Sequence, residues 1–425
     1  MNTTTPYKKI AGYEAAKGEF DTCLLLYSGG LDTSVMLKWI QEEYACEVIT
    51  LTIDIGQTAD NLAAIKQKAL ELGAKNAIVY DAKKEFADTL LAEAIKANAD
   101  YQGGYALSSC LSRVIISEIA VKVAQANGCQ VIAHGCTGKG NDQVRFDSYI
   151  TTLNQNIKII APVREWGMSR AEEIAYAKAR GIPVAQSAAK PYSYDENMWG
   201  NTCEGGELEQ TGQPADLKNM LLWCNTIENT PDQKATITIG FEAGVPTAID
   251  GMTMPLHQIV AATNKLGATH GVGVRQNVED RLVGFKVREV YEQPGAAILI
   301  AAHKKLEQLV STRQENELKP FIDQKWAYLT YAAQWYDPAM QHIRAYIHNQ
   351  NKKVTGTVTV ELFKGNISVA ALDSPYSLFD HNLMTSMEKD EVFNQNAATG
   401  FIELYNLPQK TAYHAYNYTE ENHDK

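Results

Sequence analysis

Two glycine-rich loops bring together residue types that can bind anions. In the first, S-G-G-L-D-T-S (residues 28–34), Gly29 and Gly30 carry no Cβ, so an anion can approach the backbone closely. The loop follows an apolar run and precedes an amphipathic helix, which we expect to begin near Thr33 with Asp32 or Thr33 as its cap. Unpaired N–H groups in a first helical turn attract negative charge. This loop therefore predicts a phosphate site; the alternative is a tight strand-to-helix turn that binds no ligand.

The second loop, A-H-G-C-T-G-K-G-N-D-Q-V-R-F (residues 133–146), combines three glycines with four different polar groups. A hydroxyl, an amide, a carboxylate and a guanidinium stand within nine residues, at Thr137, Asn141, Asp142 and Arg145. Hydroxyl and amide groups can hold a carboxylate, and a carboxylate can accept a hydrogen bond from an amine. The loop predicts a polar ligand site, and its alternative is a solvated loop with helix caps.

Both loops follow apolar runs that predict the strands of a parallel sheet. Between residues 22 and 180, near-continuous apolar runs alternate with helical periodicity, which is typical of a sheet covered by helices on both faces. The runs are TCLLLY (22–27), EVITLTID (47–54), NAIVYD (76–81), QVIAHG (130–135) and IKIIAP (157–162). Helical spacing is clearest in residues 58–75 and 110–128. Ligands of open α/β sheets bind at the carboxyl ends of strands, so both loops are expected at one crevice.

The second half of the chain has the pattern of antiparallel strands mixed with helices. A glycine-rich polar segment covers residues 191–214, and hairpins are predicted around residues 244–246 and 364–366. Helices are predicted at residues 255–267 and 320–348. This half is therefore expected to form an α+β domain.

Composition favours a globular enzyme and excludes several classes of function. The chain has 425 residues, 45% of them apolar, and it has no apolar run of membrane-spanning length. Its net charge of −11 disfavours a long basic footprint for nucleic acid. Seven cysteines form no C-x-x-C pair, and the N-terminus has no signal-peptide pattern. We expect a soluble, cytoplasmic protein with reduced thiols and with neither a nucleic acid nor a membrane as its partner.

Several sequence motifs resemble those of one enzyme family. S-G-G-L-D-T-S resembles the pyrophosphate-binding loop of N-type ATP pyrophosphatases, which split ATP between its α- and β-phosphates. Residues 134–146, P-Y-S-Y-D-E-N-M-W-G (191–200), E-G-G-E-L-E (204–209) and residues 270–299 are similar, in order and spacing, to segments of argininosuccinate synthases. The resemblance extends from residue 22 to about residue 400.

The resemblance implies a reaction and a nucleotide site. In that family the ureido oxygen of citrulline attacks the α-phosphorus of ATP, pyrophosphate leaves, and the amine of aspartate then displaces AMP. Mg²⁺ is expected because it neutralises the departing pyrophosphate, although no carboxylate of this chain is assigned as its ligand. The residues expected to bind ATP are Leu26, Ser28, Gly29, Gly30, Leu31, Asp32, Thr33, Ser34, the backbone of Ile53, and Gly135.

The resemblance also assigns residues to the two other substrates. Aspartate is expected on Thr137, Asn141 and Asp142. Citrulline is expected on Tyr105, Cys110, Asn141, Arg145, Ser193, Thr202, Glu279 and Tyr291. Asp32, Asn141 and Asp142 are the expected catalytic residues.

The same resemblance suggests a domain plan and an assembly. We expect an α/β fold with a poorly specified extension (1–20), a doubly wound parallel-sheet ATP-binding domain (21–185), an α+β synthetase domain (186–392) and a C-terminal oligomerisation tail (393–425). Family members are homotetramers whose tails reach across subunits, so the tail is expected to contact a neighbouring subunit.

Some positions depart from the family pattern and leave other functions open. Cys110 stands where a serine is expected, and Glu289 stands where a glycine is expected. A paralogue that adenylates a different ureido or amide acceptor is therefore one alternative, and a non-catalytic nucleotide-binding regulator is another. Tyr105 and Tyr291 could instead be packing aromatics, and Glu279 could form a surface ion pair with its neighbour Arg281.

Overall fold

The computed structural model describes residues 7–57, 61–184, 191–384 and 393–421. The predicted boundary between residues 185 and 186 lies outside the described residues, as do the first three residues of the predicted helical segment 58–75. The described chain divides into two compact units, one ending at Tyr376 and one beginning at Ser377.

The first half of the larger unit contains a five-stranded parallel sheet with strand order β3-β2-β1-β4-β5. Its strands are β1 (Thr22–Leu26), β2 (Glu47–Asp54), β3 (Asn76–Asp81), β4 (Val131–Ala133) and β5 (Lys158–Ile160). Each strand falls within one of the five predicted apolar runs, and both faces of the central strands are buried under helices. The predicted doubly wound α/β fold is confirmed.

Helices connect these strands and cover the sheet. They are α1 (Leu31–Tyr44), α2 (Leu62–Glu71), α3 (Lys83–Phe86), α4 (Ala92–Lys96), α5 (Ser108–Ala126), α6 (Asp142–Leu153), α7 (Pro162–Trp166) and α8 (Arg170–Ala179). A π-helical turn, Ala87–Leu91, joins α3 to α4. Both glycine-rich loops lead from a strand of the sheet into a helix, the first into α1 and the second into α6. They therefore lie at the carboxyl ends of β1 and β4, as predicted.

The N-terminal extension is more ordered than the sequence suggested. Glu14 forms a parallel bridge with Ile159 of β5, and the backbone N–H of Ala15 donates to the Ile159 carbonyl at 3.0 Å. Ala15 and Phe20 are buried in the core that includes β1 and α1. The expectation of poorly specified structure is therefore wrong for this part of the extension, because backbone pairing with an edge strand left no sequence signal.

The second half of the larger unit contains two antiparallel sheets. Their strands are β6 (Tyr192–Asn197), β7 (Gly200–Gly205), β8 (Ala235–Glu242), β9 (Val245–Ile249), β10 (Met252–Thr253), β11 (Val274–Asp280), β12 (Lys286–Glu292), β13 (Gly356–Phe363) and β14 (Asn366–Asp373). One sheet has the order β11-β12-β7-β6 and the other β10-β9-β8-β13-β14. The helices are α9 (Leu217–Met220), α10 (Leu256–Thr269), α11 (Pro294–Val310), α12 (Arg313–Tyr331) and α13 (Pro338–Asn351).

Most of the predicted elements of this half are present, with two differences. The β8-β9 and β13-β14 hairpins and the helix α10 confirm the predictions. Residues 191–214, predicted only as a polar segment, contain the β6-β7 hairpin. The helical stretch predicted at 320–348 is interrupted, because Ala333 adopts a positive φ of 60° and Pro338 starts α13 as a new helix.

The smaller unit is helical. Its helices are α14 (His381–Met384), α15 (Ala397–Tyr405) and α16 (Leu407–Glu421). Large apolar side chains of α15 face solvent, among them Phe401 and Leu404, which are 64% and 70% exposed. Across the described ranges, no helix is both long and apolar enough to cross a membrane.

Candidate active site

The first glycine-rich loop has the backbone geometry of an anion site. Gly29 adopts a φ of 79°, and a Cβ there would lie 2.8 Å from Cγ1 of Ile65. The helix α1 begins at Leu31, with Gly30 in the cap position and no described side chain capping it. The prediction that Asp32 or Thr33 caps this helix is therefore wrong, because the helix starts before both. The uncapped first turn leaves backbone N–H groups and the positive end of the helix dipole open to a phosphate.

A cavity of about 380 Å³, called here the strand-end cavity, lies against this loop at the carboxyl ends of the strands. The predicted ATP residues in its wall are Leu26, Ser28, Thr33, Ile53 and Gly135. Among the others, Ser34 is buried and its hydroxyl donates to the Gly30 carbonyl at 2.7 Å. Lys68 of α2 also supports the loop, because its Nζ donates to the Gly29 carbonyl at 2.8 Å.

Asp32, one of the predicted catalytic residues, does not line this cavity and forms a surface ion pair. Its carboxylate contacts the Arg170 guanidinium, and both side chains are 61% exposed. Arg170 also pairs with Glu173 at 2.6 Å. A catalytic role for Asp32 stays a prediction.

A second cavity, of about 160 Å³, is lined by residues of both hairpins of one sheet, β6-β7 and β11-β12, and by residues of α5, α6 and the loop before α6; it is called the hairpin cavity. Most of the residues predicted for citrulline and aspartate line it: Tyr105, Thr137, Asn141, Asp142, Arg145, Ser193, Thr202 and Glu279. The hydroxyl of Thr202 is buried and has no hydrogen-bond partner among the described residues. A buried polar atom without a partner is costly, so this hydroxyl is a candidate ligand contact.

Tyr291 and Cys110, also predicted for citrulline, stand behind this wall. The Tyr291 hydroxyl donates to Oε2 of Glu279 at 2.7 Å, and its ring stacks on that of Tyr105 with centroids 4.5 Å apart. Cys110 is fully buried, with its Sγ 3.9 Å from the Tyr105 hydroxyl, and burial raises the pKa of its thiol to about 12. The thiol therefore stays protonated at neutral pH.

Glu279 is an interior carboxylate, not half of a surface ion pair. Only 4% of its surface is exposed. Arg281 pairs instead with Glu204 and with Glu289, the latter at 3.0 Å. Burial and then the nearby Glu279 raise the pKa of Glu289 to about 7. The alternative reading of Glu279 is therefore wrong.

Arg113, which the sequence did not single out, joins the two cavities. Nη2 of Arg113, on α5, donates at 2.7 Å both to Oδ2 of Asp142 and to Oδ2 of Asp195. Arg113 lines the strand-end cavity, Asp142 lines the hairpin cavity, and Asp195 lines both. Its buried Nε has no partner in the described part of the chain. No signal in the sequence distinguished Arg113, because α5 carries two further charged residues, Glu118 and Lys122.

Two guanidinium groups hold Asp142 in its charged form. Besides its bond with Arg113, Asp142 Oδ1 accepts from Nη1 of Arg145 at 2.9 Å. Burial opposes ionisation, but Arg113 and Arg145 outweigh it and lower the pKa of Asp142 to about 2. The carboxylate is therefore an acceptor at neutral pH.

These features define a class of protein: an α/β protein with a glycine-rich loop and a cavity at the carboxyl ends of a parallel sheet, and a second, highly polar cavity beside it. Residues 22–183 match the family model of the arginosuccinate synthase N-terminal HUP domain. Residues 192–412 match that of the arginosuccinate synthase C-terminal domain. The chain belongs to the argininosuccinate synthase family.

Curated relatives agree over nearly the whole chain. The chain is 44% identical over 388 residues to the argininosuccinate synthase of Symbiobacterium thermophilum, covering 91% of this chain and 96% of the relative. It is 46% identical over 392 residues to that of Brevibacillus brevis, covering 92% of each. It is 48% identical over 389 residues to that of Limosilactobacillus reuteri, covering 91% of this chain and 93% of the relative.

Proposed function

We propose that this chain is an ATP-dependent ligase that condenses citrulline with aspartate to argininosuccinate, AMP and pyrophosphate, a step of arginine biosynthesis. The observation that carries this proposal is the shared wall of the two cavities. Tyr194 and Asp195 line both, and Arg113 contacts carboxylates on the hairpin side while facing the strand-end side. A nucleotide and a polar acceptor bound there would be adjacent, as transfer of AMP requires.

ATP is assigned to the strand-end cavity, with its pyrophosphate end on the loop of residues 28–34. The uncapped start of α1 supports this, since a helix N-terminus binds phosphate groups. The buried Nε of Arg113, which has no hydrogen-bond partner among the described residues, is a further donor for a phosphate oxygen. The full set proposed for ATP is the one predicted from the sequence, including Gly29, Gly30, Leu31, Asp32 and Ser34.

Citrulline and aspartate are assigned to the hairpin cavity. Five carboxylates (Asp142, Asp195, Glu204, Glu279, Glu289) and two guanidinium groups (Arg145, Arg281) line it. Such an excess of negative charge favours a ligand with an ammonium group, which both amino acids carry. The remaining N–H groups of Arg145 suit a carboxylate, and Glu279 suits the ammonium of citrulline.

The reaction requires the protein to position its substrates and to stabilise the charge that develops on them. No covalent intermediate forms on a side chain. The ureido oxygen of citrulline forms a bond to the α-phosphorus as the bond to pyrophosphate breaks. The aspartate amine then attacks the activated carbon, and AMP leaves. Ionised Asp142 can accept a hydrogen bond from that amine and aim it, while Asn141 and Thr137 hold the substrate carboxylates.

We propose that Mg²⁺ enters with ATP as the metal–nucleotide complex. Within the described ranges, no group of three or more His, Cys, Asp or Glu residues is placed to hold a metal ion. Mg²⁺ commonly takes most of its ligands from phosphates and water, so it does not need such a cage. When bound, it would neutralise charge on the departing pyrophosphate.

The proposal is tested by following all products. Protein supplied with Mg-ATP, citrulline and aspartate should release AMP and pyrophosphate in equal amounts. Formation of ADP and orthophosphate would contradict it. A panel of other ureido and amide acceptors tests the paralogue alternative, which fails if citrulline is the only efficient acceptor.

We further propose a homotetramer in which the C-terminal unit contacts a neighbouring subunit. The exposed apolar side chains of α15, such as Phe401, Ile402 and Leu404, support this, since such a surface is stabilised by burial. Light scattering of the full chain and of a chain ending at Tyr376 tests it. An unchanged oligomer mass after deletion would contradict the role of the tail. The cytoplasmic location stays a prediction.

A further inference from the structure

The side chain at the end of α12 touches the predicted citrulline site in three ways. Tyr331 is the last residue of that helix and is fully buried. We propose that Tyr331 is a positioning residue, which holds Asn141, Arg145 and Glu279 in the geometry that citrulline and aspartate require. The inference rests on the proposed function, because it concerns the substrates assigned there.

The Tyr331 hydroxyl joins two of these residues. It donates to Oε1 of Glu279 at 2.5 Å, and it accepts from Nδ2 of Asn141 at 2.7 Å. A phenol has one proton, which goes to Oε1 of Glu279 because this acceptor is nearer than the Asp280 carbonyl at 2.9 Å, and the amide N–H supplies the second bond. Burial and then Glu279 raise the pKa of Tyr331, which keeps that proton in place. The hydroxyl thus fixes Glu279 relative to Asn141, 138 residues away in the chain.

The orientation of the Asn141 amide depends on the same contact. Its Oδ1 accepts from the backbone N–H of Leu282 at 2.8 Å, while its Nδ2 faces Tyr331 and Glu279. The two bonds on opposite ends of the amide decide which end points at the carboxylate. The second lone pair of Oδ1 then remains for a donor on a substrate.

The backbone and the ring of Tyr331 hold Arg145. The Tyr331 carbonyl, at the C-terminal end of α12, accepts from Nε and from Nη2 of Arg145, each at 3.3 Å. Such terminal carbonyls have no partner within the helix, so the guanidinium satisfies one of them. The Arg145 guanidinium also lies over the Tyr331 ring, 5.0 Å from its centroid. With Nη1 bonded to Asp142, one N–H on each Nη remains for a carboxylate.

Tyr331 completes a symmetric support for Glu279. Tyr291 donates to one oxygen of this carboxylate and Tyr331 to the other. Each of the two rings is stacked on a second tyrosine: Tyr291 on Tyr105, and Tyr331 on Tyr101 with centroids 3.8 Å apart. The resemblance pointed to Tyr291, and the geometry gives Tyr331 the equivalent position on the opposite side.

The test removes only the hydroxyl, with Tyr331→Phe, and uses Tyr336→Phe as the matched control. The phenylalanine keeps the ring stack and the backbone carbonyl. In the control, the lost bond is also a phenol–carboxylate bond, from Tyr336 to Glu118 at 2.7 Å, away from both cavities. Steady-state kinetics with each substrate varied in turn are compared for wild type and both variants.

Tyr331→Phe is expected to raise KM for citrulline about tenfold or more, since a buried bond to a charged group is lost. KM for aspartate should rise as well, because Asn141 serves both substrates, while KM for ATP should stay within about twofold. The control should leave all three within about twofold. Unchanged KM values for citrulline and aspartate, or an equal rise for all three substrates, would overturn the proposal.

A measurement without substrate separates this inference from the proposed function. Hydrogen exchange of the Leu282 amide should be faster in Tyr331→Phe than in wild type and in Tyr336→Phe, because Asn141 loses its second anchor. Equal exchange in all three proteins would refute the positioning role. If wild type forms no AMP from citrulline and aspartate, the proposed function fails, and the exchange result still decides whether Tyr331 positions Asn141.

Discussion

The strand-end cavity and the hairpin cavity lie side by side but are built in opposite ways. The first rests on backbone: a glycine at positive φ, an uncapped helix start and the carboxyl ends of neighbouring strands. The second rests on side chains from α5, α6 and both hairpins, most of them charged. A site built from backbone groups requires small residues in one continuous segment. A site built from side chains requires a folded chain that brings distant residues together.

This difference predicts how each region responds to change. Removing a charge should damage the hairpin cavity, where guanidinium and carboxylate groups are buried and paired with one another. Adding a Cβ should damage the strand-end cavity, where the backbone itself approaches the ligand. The charge of Arg170, which pairs with Asp32 on the exposed side of the strand-end loop, should matter little.

The largest effect is expected from Asp142→Asn. The change leaves Arg113 without one of its two carboxylates and Arg145 without its partner, and it removes the acceptor proposed for the aspartate amine. We expect kcat for AMP release to fall about 100-fold or more, with ATP affinity within about threefold of wild type. Steady-state kinetics and calorimetric ATP titration measure the two quantities.

Asp280→Asn is the matched control for this prediction. Asp280 is close in the fold but half exposed, and it pairs with the exposed Lys286. It should keep nearly full activity. A kcat for Asp142→Asn within tenfold of wild type would remove the assigned role of the carboxylate. Loss of turnover with ATP binding intact would also argue against a protein that only binds nucleotide.

Gly29→Ala should have the next largest effect and should act on ATP. The new Cβ would meet Ile65 at 2.8 Å, and the residue would keep a φ that side chains rarely adopt. We expect KM for ATP to rise about 10-fold to 100-fold, with KM for citrulline nearly unchanged. Gly128→Ala is the control for backbone strain alone. Gly128 also has a positive φ, of 68°, but nothing lies within 4 Å of its Cβ position. An equal effect of both substitutions would contradict the phosphate role of the loop.

The same contrast explains what the sequence could predict. The strand-end side was predictable because its signals are local: five apolar runs, and one loop between a strand and a helix. On the hairpin side, the loop of residues 133–146 predicted a polar ligand site, the residues beyond it were found by resemblance alone, and the contacts that organise them were missed. Arg113 meets Asp195 across 82 residues, which no local period encodes. The β6-β7 hairpin was also missed, because its glycines and polar residues resemble a loop until strand pairing is known.

Other misses have equally physical causes. The break between α12 and α13 depends on Ala333 in a left-handed conformation, where a glycine would have signalled the helix end. The bridge of Glu14 to β5 uses backbone groups alone, so the pattern of side chains in the sequence could not predict it.

A change of pH is expected to have a moderate effect on activity, and this effect arises in the hairpin cavity. Glu289, with a pKa of about 7, is neutral below that pH and charged above it. Its ionisation adds negative charge beside Glu279 and a partner for Arg281, so attraction for an ammonium group grows as pH rises. We expect kcat/KM for citrulline to rise about threefold between pH 6 and 8. Glu289→Gln should flatten this rise; a profile identical to wild type would assign the titration to another group.

The smallest effect is expected from Arg170→Gln, which breaks the ion pair with Asp32 at the outer side of the strand-end loop. Both side chains are 61% exposed, and exposed pairs contribute at most about 1 kcal/mol. The other partner, Glu173, is a buried carboxyl whose pKa is raised by burial and then by Asp32. The free energy of unfolding should fall by less than about 1 kcal/mol, and KM for ATP should stay within about twofold. A tenfold rise in that KM would mean that Asp32 must be held by Arg170 to serve ATP, and the strand-end cavity would then depend on charged side chains as the hairpin cavity does.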